Sequence, residues 1–91
     1  MSNFKITLNP QVTLTEMEGR LVLFSKSTGD FFGLNESALI LLKQLLNSDF
    51  NTAVNHCSQE FGVAPATIET DLIALVEELE RQKLLKKEML P

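Results

Sequence analysis

The sequence contains only one cysteine, Cys57. A single cysteine excludes a disulfide within the chain and cannot supply a metal site built from several cysteines. The longest apolar run, Ala38 to Leu42, is too short to cross a bilayer, and Met1 to Lys5 has no apolar core of signal-peptide length. We therefore expect a cytoplasmic protein without a membrane partner.

Basic residues are also few. Lys and Arg total 8 against 12 Asp and Glu, so the formal net charge is -4. A negative surface repels phosphate backbones and anionic lipid headgroups, which disfavours nucleic acid and membranes as partners. The glycines lack the spacing of a phosphate-binding loop, since they are scattered at Gly19, Gly29, Gly33 and Gly62. No nucleotide or other cofactor is expected.

The length and composition fit one small globular domain. The chain has 91 residues, with 44% hydrophobic and 22% charged residues, close to the averages for soluble domains. A chain of this length builds one core, and a deep enclosed active site would be hard to form around it. We expect a single domain over residues 1–91, with its core at about 12–85 and a surface groove as its functional site.

The first third of the chain predicts antiparallel strands. Apolar and polar residues alternate over Val12–Glu16, Glu18-Gly19 supplies a turn, and Arg20–Phe24 follows as the second strand of a hairpin. A second turn cluster, Ser27 to Asp30, precedes a short third strand at Phe31–Leu34. Lys5–Leu8 also alternates and is a candidate fourth strand, although Asn9-Pro10 interrupts it.

The rest of the chain predicts three helices. The first is capped by Asn35, carries an apolar stripe at Leu39, Leu42, Leu45 and Leu46, and runs to about Asn47. The second starts at a cap at Asn51 or Thr52, has Val54, Cys57 and Phe61 on one face, and ends at Gly62. The third starts at Pro65, continues to about Lys83, and buries Ile68, Leu72, Leu75, Val76 and Leu79.

Strands followed by helices indicate an α+β domain. We predict a winged helix-turn-helix, in which a three-stranded antiparallel sheet is followed by three helices. The segments expected to fray are the first few residues and Lys86 to Pro91.

The sequence offers little for catalysis or metal binding. His56 and Cys57 are adjacent, so on a helix their side chains point about 100° apart and cannot act as base and nucleophile. Cys57 shares the apolar face of its helix, where a free cysteine packs as a small hydrophobe, and His56 then faces solvent. One histidine and one cysteine do not complete a zinc ligand set, so no metal is expected.

Consecutive residues of a strand point to opposite faces of the sheet, which separates Phe31 from Phe32. Phe32 and Leu34 are predicted to pack in the core. Phe31 and Gly33 lie on the other face, where an aromatic ring beside a residue without a side chain leaves room for a peptide. A shielded Phe31 next to an ordinary turn glycine explains the same pattern.

The third helix is acidic, with Glu69, Asp71, Glu77, Glu78 and Glu80. Asp71 and Glu78 are seven residues apart and share a face, with Ala74 between them. They either border a groove that favours a cationic partner or are solvated surface residues.

Three segments together resemble the PqqD-like family, also called RiPP recognition elements. The first, Thr28 to Ala38, is a turn, a strand ending in Leu-Asn and a helix that opens with small residues. The others are Glu60-Phe61-Gly62-Val63 before the long helix, and Glu78 to Leu85 at its end. The resemblance spans about Val12 to Leu85. Its aromatic third strand is most similar to the stand-alone leader-binding proteins of lasso-peptide biosynthesis.

The resemblance implies a non-catalytic protein that binds the leader peptide of a precursor and delivers it to a leader-cleaving protease or another modifying enzyme. The leader would add as a strand to the edge of the third strand and lie against the third helix. The implied peptide-binding residues are Asp30, Phe31, Phe32, Gly33 and Leu34 on the edge, with Thr67, Asp71, Ala74, Leu75 and Glu78 on the helix.

Three alternatives remain. The fold alone also fits a winged-helix DNA-binding regulator, but the third helix carries five acids and no base from Glu69 to Glu80, which is unsuited to a major groove. A PqqD-type chaperone of a different peptide-modifying pathway is the second alternative. A small thiol enzyme that uses Cys57 is the third, and it requires this residue to be accessible.

Overall fold

The computed structural model describes residues 3–91, which form three helices and two small antiparallel sheets. In chain order the elements are β1 (Phe4–Leu8), β2 (Val12–Met17), β3 (Arg20–Ser25), β4 (Phe31–Gly33), α1 (Glu36–Asn47), α2 (Phe50–Phe61), α3 (Pro65–Arg81) and β5 (Leu85–Met89). Strands β2, β3 and β4 form one sheet in that order, and β1 pairs with β5 in the other. The predicted α+β class, with three antiparallel strands before three helices, is confirmed, and the arrangement is compatible with a winged helix.

The β2–β3 hairpin turns at the predicted dipeptide. Glu18 has φ 53° and Gly19 has φ 80°. Positive φ at both central residues defines the two-residue turn whose twist matches that of the flanking strands. The register pairs Leu14 with Leu23, and Leu23 with Phe32 of β4, so these three side chains share the face that packs on the core.

The helix caps explain where α1 and α2 begin. The Asn35 side chain accepts a hydrogen bond from the Ala38 N–H at 2.7 Å, as predicted for the start of α1. For α2 the predicted caps, Asn51 and Thr52, are wrong. Asp49 is the N-cap, and its carboxylate accepts a hydrogen bond from the Thr52 N–H at 2.8 Å. The helix therefore starts two or three residues earlier than predicted.

The core draws on both sheets and all three helices. Its members include Ile6, Val12, Leu23, Leu42, Leu45, Phe50, Cys57, Ile68, Leu72, Val76, Leu79 and Leu84. Phe32, Leu34 and Leu75 pack against it and are half-buried. Phe61, predicted to share a face of the helix with Val54 and Cys57, has a side chain that is 38% exposed at the end of α2, whereas Phe50 and Ala53 are fully buried.

The predicted fraying of Lys86 to Pro91 is also wrong, because residues 85–89 form β5 against β1. Phe4 of β1 stacks on Phe50 at 4.6 Å between ring centroids, and the Lys87 ammonium lies 5.1 Å above the Phe4 ring. The candidate strand at residues 5–8 is confirmed, with β5 as its partner. Of the residues expected to fray at the N-terminus, Met1 and Ser2 lie outside the described part, while the Asn3 side chain accepts hydrogen bonds from the Phe4 and Asn51 N–H groups.

Within residues 3–91, none of the helices combines the length and apolar character required to cross a membrane.

Candidate functional site

Strand β4 forms one edge of its sheet. The Ser25 N–H donates to the Asp30 carbonyl at 2.9 Å, which places the Asp30 carbonyl on the β3 side. Because this direction alternates along an antiparallel ladder, the main-chain groups of Phe32 point toward β3 and those of Phe31 and Gly33 point away from it. In the described residues β4 has no second strand neighbour. Phe31 and Gly33 thus present two N–H and two C=O groups at an open edge.

The two aromatic side chains of β4 lie on opposite faces, as predicted. Phe32 pairs with the fully buried Leu23 and packs against the core. Phe31 lies on the outer face, where its ring stacks on Phe24 at 4.6 Å between centroids and an interplanar angle of 32°. Even so, the Phe31 side chain remains 49% exposed.

Space is available beside Phe31. Gly33 is exposed, and a methyl group placed on its Cα would have no neighbouring atom within 4 Å. The outer face of the edge therefore offers an exposed ring next to an open position, which a second chain can fill without moving the backbone.

The C-terminal end of α3 lies near the start of β4. Asp30 and Phe32 line a cavity together with Gln82, the C-terminal cap of α3. Leu75 precedes Gln82 by seven residues and therefore lies on the same side of the helix. Asp71 and Glu78 follow this side at helical spacing, and both are exposed. The end of α3 thus lies beside the start of β4, and half-buried Leu75 lies on the side of the helix that leads to it. The space between the edge of β4 and this side of α3 is called the groove below.

Two predicted helix residues lie farther from the edge. Thr67 is in the first turn of α3, about 22 Å along the axis from Gln82 at 1.5 Å per residue. Ala74 borders a shallow depression with Glu77, Glu78 and Arg81, which is separate from the cavity that Asp30 and Phe32 line. A strand added along the three residues of β4 covers only about 10 Å, so it does not reach Thr67 by itself.

Glu78 has an ion-pair partner that was not predicted from the sequence. Its carboxylate forms a salt bridge with Arg81, one turn later, and both side chains are largely exposed. This pairing offsets part of the negative charge of Glu78, so the two predicted carboxylates, Asp71 and Glu78, are not equivalent.

The cavity at the end of the groove was also not predicted from the sequence. It has a volume of about 260 Å³. The sheet side contributes Ser25, Ser27, Thr28, Asp30 and Phe32, and the helix side contributes Gln82, Lys83 and Leu84. The chain turns here because Lys83 adopts φ 63°, a left-handed conformation that no residue type in this segment signals.

Cys57 and His56, the residues considered for catalysis, differ in their exposure to solvent. Cys57 is fully buried, and burial, with a smaller effect from the Glu60 carboxylate, raises the pKa of its thiol. His56, the preceding residue, is exposed, as predicted. No cluster of three or more His, Cys, Asp or Glu side chains suited to a metal ion occurs in the part of the chain that the structure describes.

Comparison with known proteins decides the family. The profile of coenzyme PQQ synthesis protein D (PqqD) matches residues 20–85, which span β3 to the start of β5. The chain belongs to the PqqD family. The matched residues include β4, α3 and all the residues that line the cavity. None of the curated proteins matches the sequence.

Two solved structures share this PqqD fold. One, a lasso peptide synthetase B1 complexed with the leader peptide, superposes with a TM-score of 0.82 at 22% identity over 90% of this chain and 98% of that one. The other is TbiB1 in complex with the TbiA(beta) leader peptide, with a TM-score of 0.77 at 24% identity over 87% and 93% of the two chains. The similarity extends over nearly the full length of both proteins.

Proposed function

We propose that this protein binds the leader segment of a ribosomally made precursor peptide as a strand added to the open edge of β4, without catalysing a reaction. The observation that carries the proposal is the outward direction of the main-chain groups of Phe31 and Gly33, on an edge that has no second strand neighbour in the described residues. Main-chain hydrogen bonds in such an arrangement supply affinity, and pockets for alternate side chains supply selectivity.

The side chains along the edge support the same use. An exposed Phe31 provides an aromatic contact on the outer face, and half-buried Leu75 provides an apolar contact on the groove side. Ordered aromatic residues supply much of the binding free energy at protein interfaces. The proposed peptide-binding residues are those predicted from Asp30 to Leu34, together with Asp71, Leu75 and Glu78. Thr67 and Ala74 would contact only a leader that continues along α3.

The family and the two solved neighbours favour a leader peptide of lasso-peptide biosynthesis as the ligand. Both neighbours were solved with leader peptides bound, and their fold covers almost all of this chain. We infer that the bound leader is passed in the cytoplasm to a leader-cleaving protease or another modifying enzyme of the same pathway.

The charge distribution disfavours the rival DNA-binding function. Asp71, Glu77, Glu78 and Glu80 are all exposed on α3, the helix that would enter a major groove. Phosphate backbones bind surfaces rich in Lys and Arg, so this helix would be repelled.

A titration tests the proposed function. The probe is a fluorescein-labelled synthetic leader of a candidate precursor, chosen from short open reading frames that neighbour the gene of this protein, and its control is a scrambled peptide of the same composition. We expect saturable binding of the leader alone, with the peptide recovered at unchanged mass. Equal binding of both peptides, or a covalent change in the leader, would contradict the proposal.

A further inference from the structure

A cavity lies between the start of β4 and the end of α3. If a peptide strand were added to β4, every second side chain of the peptide would face the same side of the sheet as this cavity. Asp30 and Phe32 line it, and both alternate with Phe31 along the strand. Side chains of neighbouring strands that lie opposite each other share a face of the sheet. A peptide residue opposite Asp30 or Phe32 would therefore face the cavity, while its neighbours would lie beside Phe31 on the outer face.

The size of the cavity fits one side chain. Its volume of about 260 Å³ lies below the roughly 300–1,000 Å³ of pockets that hold whole small molecules. Phe32 and Leu84 supply apolar surface, which suits the methylene groups of a side chain that enters from the edge.

The polar groups around the cavity are mixed in charge and in hydrogen-bonding type. Among the lining residues Asp30 bears a carboxylate, Lys83 an ammonium and Gln82 an amide, while the hydroxyls of Ser25 and Ser27 lie 3.2 Å apart. The two formal charges cancel. Ser25 is the buried polar residue of the described chain, at 6% exposure, so its hydroxyl forms an inner polar wall.

We propose that this cavity is a selectivity subsite for an uncharged, hydrogen-bonding side chain of the bound peptide, with the carboxamide of Asn or Gln as the best match. A carboxamide offers N–H donors to the Asp30 carboxylate and an oxygen acceptor to Lys83 or a serine hydroxyl. A leucine would leave these polar groups without partners after excluding water from them. A charged side chain would gain little net attraction, because attraction to Asp30 or Lys83 is offset by repulsion from the other, and it would still lose its hydration. This inference rests on the proposed strand addition at β4.

The test selects ligands without assuming a leader sequence. A phage-displayed library of random linear peptides is selected on the immobilised protein. We retain the peptides that bind less tightly to the Gly33→Pro and Phe31→Ala variants but equally well to the Phe61→Ala variant. Gly33→Pro removes an outward N–H of the edge, and Phe61 is exposed on α2, outside the groove. Thermal melts of the three variants confirm that each is folded.

Synthetic versions of these binders then carry Gln, Leu, Glu or Lys at each position in turn. At one position we expect Gln to bind roughly three- to tenfold more tightly than Leu, Glu or Lys, as one or two hydrogen bonds would provide. The advantage of Gln over Leu should largely disappear with Asp30→Ala, because the variant lacks one of the two partners.

The outcomes separate the two proposals. The subsite would be overturned if the selected peptides depend on the β4 edge but none of their positions shows a Gln preference that Asp30→Ala removes. It would also be overturned if Leu bound better than Gln at every position. Strand addition at β4 would stand in both cases. Selection of no peptide, or only of peptides insensitive to Gly33→Pro and Phe31→Ala, would overturn the proposed function and this inference with it.

Discussion

The Phe31 ring stacks on Phe24 with 4.6 Å between centroids and nevertheless leaves 49% of its side chain exposed. The contact with Phe24 restricts the rotamers of the Phe31 side chain, which favours an aromatic surface that is in place before a ligand binds. Such pre-organisation lowers the conformational entropy lost on binding.

Removing this ring should weaken leader binding more than it weakens the fold. For Phe31→Ala we expect a loss of roughly tenfold or more in affinity, as for a central aromatic contact. The free energy of unfolding should change by no more than about 1 kcal/mol, since the ring is half exposed. Fluorescence anisotropy and thermal denaturation measure the two quantities. Phe61→Ala, at the other exposed phenylalanine, is the matched control, and equal affinities for the two variants would refute the role of Phe31.

A charge at Leu75 should block the groove. In Leu75→Glu the carboxylate lies on the side of α3 that already carries Asp71, where it replaces an apolar contact and repels acidic ligands. We expect affinity for the leader to fall roughly tenfold or more. Ile73→Glu is the control, because Ile73 is also half-buried but lies on the opposite side of the helix. If the two variants lost binding in proportion to their loss of helical circular dichroism, the effect would be one of folding alone.

The arrangement of side chains along β4 could be predicted from the sequence, whereas the cavity beside it could not. Alternation alone separates Phe31 from Phe32, and helical spacing alone places Leu75 beside Asp71. The cavity depends instead on the left-handed turn at Lys83, which brings Gln82 to Leu84 opposite Asp30. That contact joins residues more than fifty positions apart, and no local pattern encodes it.

Strand β5 shows the same limit in the fold. After Leu85 its side chains are exposed through Met89, so the segment lacks the alternating apolar pattern of a strand. Its conformation comes from pairing with β1, which lies at the other end of the chain. The wrong start of α2 has a different, local cause. Asp49 is a good N-cap residue, but the apolar pattern of the helix begins several residues later, so the cap was predicted too late in the sequence.

Asp49 gives the fold a dependence on pH. Hydrogen bonds from the Thr52 main-chain N–H and hydroxyl hold the pKa of the Asp49 carboxyl below its ordinary value. Folding therefore favours the ionised form, and this stabilisation is complete above the unfolded pKa of about 4 and is lost as pH falls through the lower folded value. Asp49→Asn keeps a capping side chain but does not titrate. We expect the difference in Tm between the native protein and this variant to shrink as pH is lowered from neutral through this range. A difference that stays constant would exclude the linkage.

Cys57 should be inert in the folded protein. Its side chain is fully buried, and burial raises the pKa of the thiol, so both access and thiolate formation are reduced. Ellman's reagent should react slowly under native conditions and rapidly in denaturant. Rapid native labelling would show that Cys57 is accessible and would revive the thiol-enzyme alternative.

Amide hydrogen exchange, followed residue by residue by NMR, tests strand addition most directly. The Phe32 N–H already faces β3, whereas those of Phe31 and Gly33 face away from it. On saturation with the leader peptide, we predict that exchange slows by roughly tenfold or more at Phe31 and Gly33, as for amides that enter a hydrogen-bonded ladder. Leader binding with unchanged exchange at both residues would contradict the account.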